Sequence, residues 1–365
     1  MTGAIPFSRR TFGRLVGAGV AGAALRPIPA GALSPDEGGV RLSANENPYG
    51  PAPGALQAMR EAFRVAWRYP DEEAGELIAD LSRLHGVASD SILLGAGSSE
   101  ILNLAAAAFT GPGRKLVMGD PAFEPIGAHA RVRGAEVIAV PLDGAYAHDL
   151  GKMAVAGSGL VYICNPNNPT GSITPRGKVR AFLDALPASS MALVDEAYHH
   201  YVDSPDYESV IPLVKTHPGL IVARTFSKIY GMAGLRLGYA VAQPAVIKKL
   251  SAQGAFDSVN VIALAAARAS LADAGHVAEG VKRNAATKTQ VLAELRRLGY
   301  QALPSQTNFV MIDTRKQVLP TIKALRDRGV QVGRLFPALP QHLRVTLGRP
   351  EQMKRFLEAF AAVMV

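Results

Sequence analysis

The chain has one cysteine among its 365 residues, Cys164, so it holds no internal disulfide and no cysteine-rich zinc module. Charge is sparse: 19% of residues are Asp, Glu, Lys or Arg, against 48% hydrophobic. That balance supports a sizeable buried core and excludes a disordered polyelectrolyte. The net charge of +9 is scattered, with no long block of one sign and no basic stripe interleaved with aromatics. A nucleic-acid partner is therefore not expected. Also lacking are a Gly-X-Y period and a solenoid repeat. The apolar stretch Leu15–Leu25 would span about 16 Å as a helix, short of a bilayer core of ~30 Å, so no stable membrane anchor is expected from it. At ~100–200 residues per domain, the length suggests two domains.

What is present begins with an address. Residues 1–32 carry Arg9, Arg10, Arg14 and Arg26 and no acid. Ser8-Arg9-Arg10-Thr11-Phe12 is followed by the apolar stretch and then by Ala30-Gly31-Ala32. Basic region, short apolar region and small-residue cleavage site stand in the order of a twin-arginine export signal. The expectation is an exported, periplasmic protein cleaved after Ala32. The alternative is a disordered tail on a cytoplasmic protein.

The remainder alternates strand and helix. Apolar runs of strand length occur at Ile92–Leu94, Lys115–Met118, Val137–Val140, Leu160–Ile163, Ala192–Val194, Leu220–Ala223 and Leu237–Val241. Most lack polar alternation, as strands buried on both faces do. Helical patterns such as Glu100–Phe109 and Pro244–Gln253 separate them. This predicts an α/β fold with a mainly parallel seven-stranded sheet covered by helices. From about Val259 an Ala-rich helix, a second helix and short strands near Asn308–Ile312 and Leu343–Thr346 predict a smaller α+β domain. The expected divisions are 1–32 for the signal, 33–60 for an arm and helix, 61–258 for the large domain and 259–365 for the small one. The arm's helix would belong to the small domain or to a partner chain.

Polar motifs fall where the buried strands end, the place where such sheets bind ligands. Lys228, in Thr225-Phe226-Ser227-Lys228, follows a strand directly. A buried lysine loses its proton readily and becomes a nucleophile able to form a Schiff base. Arg236 lies eight residues on and could hold a phosphate, with Thr225 and Ser227 as hydroxyl donors. Asp195, in Val194-Asp195-Glu196-Ala197-Tyr198, ends another strand. Its carboxylate is either a helix cap or the partner of a cation such as a protonated pyridine nitrogen, with Tyr198 nearby for a ring oxygen. Asn165-Pro166-Asn167-Asn168-Pro169-Thr170-Gly171 is a turn, and Asn168 could face the same oxygen. Gly95-Ala96-Gly97-Ser98-Ser99-Glu100 opens a helix whose N–H groups at Ser98 and Ser99 could meet a phosphate. It is neither a dinucleotide fingerprint nor a Walker loop. Glu100 and Glu196 read as helix-start residues, His199 and His200 as surface or pocket-rim residues. Cys164 reads as a small buried hydrophobe, and no metal site is expected.

These motifs, in this order, resemble the fold-type I class I/II pyridoxal-phosphate aminotransferases, and most of all the histidinol-phosphate aminotransferase group. Four further segments carry the likeness: Leu42–Pro51, Arg68-Tyr69-Pro70-Asp71, Pro304–Val310 and Leu343–Gly348. The resemblance implies pyridoxal 5′-phosphate as cofactor and a homodimer with active sites at the subunit interface. It assigns Lys228 to the cofactor link and proton transfer, Asp195 to the pyridine nitrogen, and Asn168 and Tyr198 to the ring oxygen. Ser98, Ser99, Thr225, Ser227 and Arg236 would bind the phosphate. Phe123 would stack on the ring, and Tyr69 would reach the neighbouring subunit's cofactor phosphate. Arg344 would clamp a substrate α-carboxylate, Arg334 would lie near a distal phosphate, and Tyr49 would line the substrate pocket. The implied reaction moves an amino group from histidinol phosphate or an amino acid to an oxo acid such as 2-oxoglutarate. A related lyase such as threonine-phosphate decarboxylase shares these motifs; the other alternative is a catalytically silent exported binding protein, against which the joint presence of Lys228, Asp195, Asn168 and Arg344 argues. The chain departs from the group's pattern at Ser99 and at His199-His200-Tyr201.

Overall fold

The computed structural model describes residues 39–156, 159–255 and 257–364. The export-signal residues, Arg9, Arg10 and Ala30-Gly31-Ala32 included, lie outside the described residues. The order of elements begins with β1 (Val40–Leu42), α1 (Pro53–Ala62) and α2 (Asp71–His85). It continues with β2 (Ile92–Gly95), α3 (Ser98–Phe109), β3 (Lys115–Asp120), α4 (Pro125–Val132), β4 (Val137–Pro141) and α5 (Leu150–Val155). Then come β5 (Gly159–Cys164), α6 (Arg176–Asp184), β6 (Met191–Asp195), β7 (Leu220–Thr225), β8 (Gly238–Ala242) and α7 (Pro244–Ser251). The last part holds α8 (Val261–Ala272), α9 (Ala274–Arg297), β9 (Gln301–Ala302), β10 (Phe309–Asp313), α10 (Val318–Asp327), β11 (Val330–Val332), β12 (His342–Thr346) and α11 (Pro350–Met364).

All seven expected strands join one sheet, in the order β2-β8-β7-β6-β5-β3-β4. Every residue of β5, β7 and β8 is buried, which is why their sequences show no polar alternation. β8 alone runs antiparallel to its neighbours β7 and β2. The reason is local. A parallel return needs a crossover, usually a helix, and the segment from Phe226 to Leu237 holds only a three-residue 3-10 turn, Ala233–Leu235. The chain therefore doubles back, and Lys228 and Arg236 end up on the two sides of one loop.

Both faces of the sheet are covered. α3, α4 and α7 bury Ile101, Leu102, Ile126 and Leu250 on one face, against Leu116, Leu160, Leu193 and Ile221. On the other, α2, α6 and α8 pack Leu77, Val179 and Leu264 against Val117, Val161, Val194 and Val222. A second core joins β1, β10, β11 and β12 to α9, α10 and α11 through Leu42, Leu295, Val310, Leu325, Val345 and Phe356. The N-terminal arm is split between these cores. β1 pairs in parallel with β11. Ala55 of α1 shares the sheet's own core with Ala263, Ala266 and Ala267 of α8. Small side chains on α8 let α1 approach closely, so α8 packs with the large sheet although it lies beyond residue 258. Among the described residues, no single helix is long and apolar enough to cross a membrane.

The arm also touches the loop that carries Lys228. Gly231 has φ +68, and a Cβ placed on it would lie 2.3 Å from the Gly50 carbonyl oxygen and 2.8 Å from the Pro51 nitrogen. Both are backbone atoms and cannot rotate away. Gly231→Ala is expected to destabilise the fold by about 1–3 kcal/mol, through strain at positive φ and displacement of the arm. Denaturant unfolding measures it; an unchanged midpoint would contradict this packing.

Candidate active site

The carboxyl ends of β5, β6 and β7, the start of α3 and the arm after β1 enclose a cavity of about 580 Å³. It is lined at one end by Ser98, Ser99, Thr225, Ser227 and Arg236. Asp195 and Lys228 lie on its wall with Asn168, Tyr198 and Phe123, and Arg334 and Arg344 approach from the small-domain side. Twelve residues singled out from the sequence thus meet in one place.

The first end is an anion cradle. α3 begins at Ser98 with no side-chain cap, so its leading N–H groups and positive dipole end face the cavity. Gly97 precedes it with φ 82. A Cβ there would lie 2.2 Å from Arg236 Nη2, so only glycine lets the guanidinium approach this turn. Arg236 itself sits at φ 57, and its Nη1 donates to the Ala233 carbonyl at 2.9 Å. The Ser227 amide donates to Thr225 Oγ1 at 3.1 Å, which holds the two hydroxyl residues together.

The middle of the cavity holds a carboxylate and an amine. Asp195 is 3% exposed. Its Oδ1 accepts from the Ala197 amide at 3.1 Å and its Oδ2 from the Tyr162 hydroxyl at 2.9 Å. Among the described residues no basic side chain forms an ion pair with it, and burial pushes its pKa up to about 6. Lys228 Nζ donates to the Asn45 carbonyl at 3.2 Å. Burial, and then the charge of Arg344, push this amine down to about 8. A lysine in that state has an appreciable neutral fraction near neutrality, the form a nucleophile needs. Burial also raises the Tyr198 phenol.

The far end is tied to the arm. Arg344 donates from Nη1 to Asn168 Oδ1 at 2.6 Å and from Nη2 to the Ser43 carbonyl at 2.8 Å, while its buried Nε has no partner among the described residues. The Asn168 oxygen is thereby occupied, and its NH₂ is left to donate to a ligand. Asn45, within the segment Leu42–Pro51, is a functional residue that the sequence reading does not single out, and it joins several parts of the site. Its Nδ2 donates to the Tyr198 hydroxyl at 3.0 Å, its amide donates to Thr346 Oγ1 at 2.9 Å, and its carbonyl accepts from Lys228. Its φ of 54 is a conformation asparagine tolerates well, a signal legible only with the backbone in hand. Arg334, at the cavity mouth, is bonded to Glu124, a partner that sequence reading missed.

Other expected residues lie elsewhere. Tyr49 is not on this cavity; its ring faces the guanidinium groups of Arg283 and Arg349, at 4.8 and 5.6 Å. Tyr69 points to solvent and is 79% exposed. Glu196 does not start a helix: it is fully buried and forms a 2.7 Å ion pair with Arg224, because it points to the opposite face of β6 from Asp195. His199 and His200 are not pocket-rim residues either. They pack against Tyr207 and Tyr230, and burial with nearby Arg224 lowers both imidazole pKa values. Glu100 does stand in the first turn of α3, where it accepts from the Ala96 amide. Cys164 is buried and also lines the cavity. Among the described residues, no group of three or more His, Cys, Asp or Glu could hold a metal ion.

The side chains fit the cofactor implied by the resemblance. The cradle suits a phosphate ester, Lys228 suits an aldehyde, and the uncompensated Asp195 suits a cationic ring nitrogen. Without that cation, ionised Asp195 is a burden on the fold. Its proton is held more tightly in the native state than in the unfolded one, so stability falls as pH rises from about 4 to about 6. For cofactor-free protein, Asp195→Asn should raise stability at neutral pH by up to about 3 kcal/mol, and the gain should vanish below about pH 4. Thermal unfolding against pH measures this; a variant no more stable than wild type at neutral pH would contradict it.

Comparison with known proteins gives the family. The family model described as aminotransferase class I and II matches residues 37–360. A histidinol-phosphate aminotransferase from Symbiobacterium thermophilum is 41% identical over 330 residues, covering 89% of this chain and 90% of that protein. The crystal structure of histidinol-phosphate aminotransferase from Sinorhizobium meliloti in complex with pyridoxal-5′-phosphate has a TM-score of 0.82 at 28% identity, covering 89% of this chain and 90% of that one. L-threonine-O-3-phosphate decarboxylase from Porphyromonas gingivalis has a TM-score of 0.79 at 24% identity, over 88% and 98% of the two chains; that likeness is one of fold alone. With cradle, carboxylate and lysine in one cavity and the match spanning most of its length, the chain belongs to the class I and II aminotransferases, enzymes that depend on pyridoxal phosphate.

Proposed function

We propose that this enzyme transfers an amino group from histidinol phosphate, or an amino acid of related shape, to an oxo acid such as 2-oxoglutarate, working as a homodimer. The observation that carries the reading is the pairing of Asp195 and Lys228 in a cavity with an anion cradle at one end and Arg344 and Arg334 at the other. The 41% identity to a histidinol-phosphate aminotransferase supports the donor.

The bound cofactor supplies an electron sink for the carbanion left when a proton leaves the donor's α-carbon. Each protein group has a separate task. Ser98, Ser99, Thr225, Ser227 and Arg236 hold the phosphate. Asp195 keeps the ring nitrogen protonated, and Asn168 and Tyr198 donate to the ring oxygen. Lys228 takes a proton from the α-carbon and returns one after the charge has moved, which its lowered pKa allows. Arg344 offers two guanidinium nitrogens to a planar carboxylate. Histidinol phosphate carries no α-carboxylate, so with that donor Arg344 serves the oxo-acid half-reaction. Arg334 is the cation for the donor's phosphate, which must displace Glu124.

Borohydride treatment of the loaded enzyme should fix the cofactor to Lys228, as read by peptide mapping; another lysine, or none, would refute the assignment. Arg344→Lys should weaken the oxo-acid half-reaction about tenfold or more in kcat/KM and spare histidinol phosphate, because lysine lacks the planar fork. Equal loss in both half-reactions would defeat the carboxylate role.

The dimer reading draws support from Phe63, Trp67 and Tyr69, which are 64%, 76% and 79% exposed within a short stretch after α1. Such an aromatic patch suits a second copy of the chain, where Tyr69 would reach the partner's cofactor phosphate. The location reading rests on the twin-arginine pattern, and the family match begins at residue 37, beyond that segment. Changing Arg9 and Arg10 to Lys should leave uncleaved, active enzyme in the cytoplasm. Fractionation of native cells tests this; full-length protein found only in the cytoplasm would overturn export.

A further inference from the structure

Asp195 has a neighbour that the functions assigned above do not use. Tyr162 lies on β5, where Cys164 two residues on is in register with Asp195 of β6. Its side chain is fully buried, in the core layer that holds Leu116, Leu193 and Ile221. One polar atom enters that layer with it. The Tyr162 hydroxyl donates to Asp195 Oδ2 at 2.9 Å, with the Cys164 thiol as its other polar neighbour. A hydroxyl in an apolar layer needs an acceptor, and an ionised carboxylate is a better one than a protonated carboxyl. The Ala197 amide holds the other oxygen. Two donors thus fix both oxygens, and Asp195 still borders the cavity.

We propose that Tyr162 is a positioning residue acting through Asp195: its buried hydroxyl holds the carboxylate ionised and oriented to receive the cofactor's cationic ring nitrogen. Tyr162 does not line the cavity and touches no ligand itself. Without its hydroxyl, Asp195 becomes more basic and competes for the ring's proton, so the electron sink weakens. The other titratable groups near Asp195 are Cys164 on β5, its sequence neighbour Glu196, Tyr198, Tyr207 and Lys228. Glu196 is neutralised by Arg224, and Lys228 titrates well to the alkaline side of Asp195. Among these protein groups only Asp195 titrates on the acid side; the cofactor's phosphate also takes up a proton at about pH 6, in wild type and variant alike, so the part of the limb that Asp195→Asn removes belongs to Asp195.

Tyr162→Phe removes one oxygen and keeps the ring, so the core remains filled. The test is the dissociation constant of pyridoxal phosphate, measured by absorbance titration of cofactor-free wild type and variant from acid to mildly alkaline pH. Binding favours ionised Asp195, so affinity falls as pH drops through the Asp195 titration near 6. Loss of the Tyr162 donor should move this limb up by about one pH unit, making the variant about tenfold weaker below about pH 5, about fivefold weaker near pH 6, and equal to wild type only above about pH 8. In an Asp195→Asn background the same substitution should leave the pH dependence unchanged. Coincident curves, or equal weakening at every pH, would overturn the proposal and leave Tyr162 as core packing, whatever happens to the melting temperature. The inference rests on the cofactor reading: failure of wild type to bind would overturn both, whereas coincident curves overturn the role of Tyr162 alone.

Discussion

Asp195 sits almost wholly buried at the end of β6, with two hydrogen-bond donors and, among the described residues, no basic side chain in an ion pair with it, and burial of that charge works against the fold near neutrality. The neighbouring features make sense around it. An uncompensated carboxylate attracts a cationic ring nitrogen. A cradle of helix N–H groups and Arg236 fixes the other end of the same molecule by its phosphate. Lys228 stands between, its proton more easily lost than an ordinary lysine's because it is buried and because Arg344 already supplies a cation. Perturbed titrations of opposite kind in one cavity are what an enzyme of this class needs.

The fold brings these groups together by topology more than by local preference. Parallel strands in the middle of the sheet deliver Asn168 and Asp195 at their carboxyl ends. The turned-back β8 puts Arg236 beside Gly97. The arm closes the site from outside the sheet: Asn45 binds Tyr198, Lys228 and Thr346, and Ser43 binds Arg344. Arm, large sheet and small sheet thus share hydrogen bonds through one asparagine, so a change in the arm is felt at the lysine.

Much of this was legible in the sequence. Uninterrupted apolar runs marked the seven central strands because both faces of the sheet are buried. Lys228, Asp195 and Asn168 stand out because each follows such a run, and Arg236 because it lies eight residues beyond Lys228. The antiparallel direction of β8 was not legible, since strand direction leaves no trace in hydrophobicity. Tyr162 read as strand core, which it is; only its partner gives the hydroxyl a meaning. Glu196 and the His199-His200 pair were misread because sequence does not tell which face of β6 a side chain takes, or that Arg224 waits there. Tyr49 was placed in the pocket by resemblance, but its ring is held by Arg283 and Arg349.

The account's central claim is that burial beside Arg344 keeps Lys228 ready to react. The most direct measurement is the pH dependence of the rate at which cofactor-free enzyme captures pyridoxal phosphate, followed by the change in its visible absorbance. Only the neutral amine attacks an aldehyde, so the rate should rise with pH through a midpoint near 8. A midpoint near 10.5, the ordinary value for a lysine, would contradict the account.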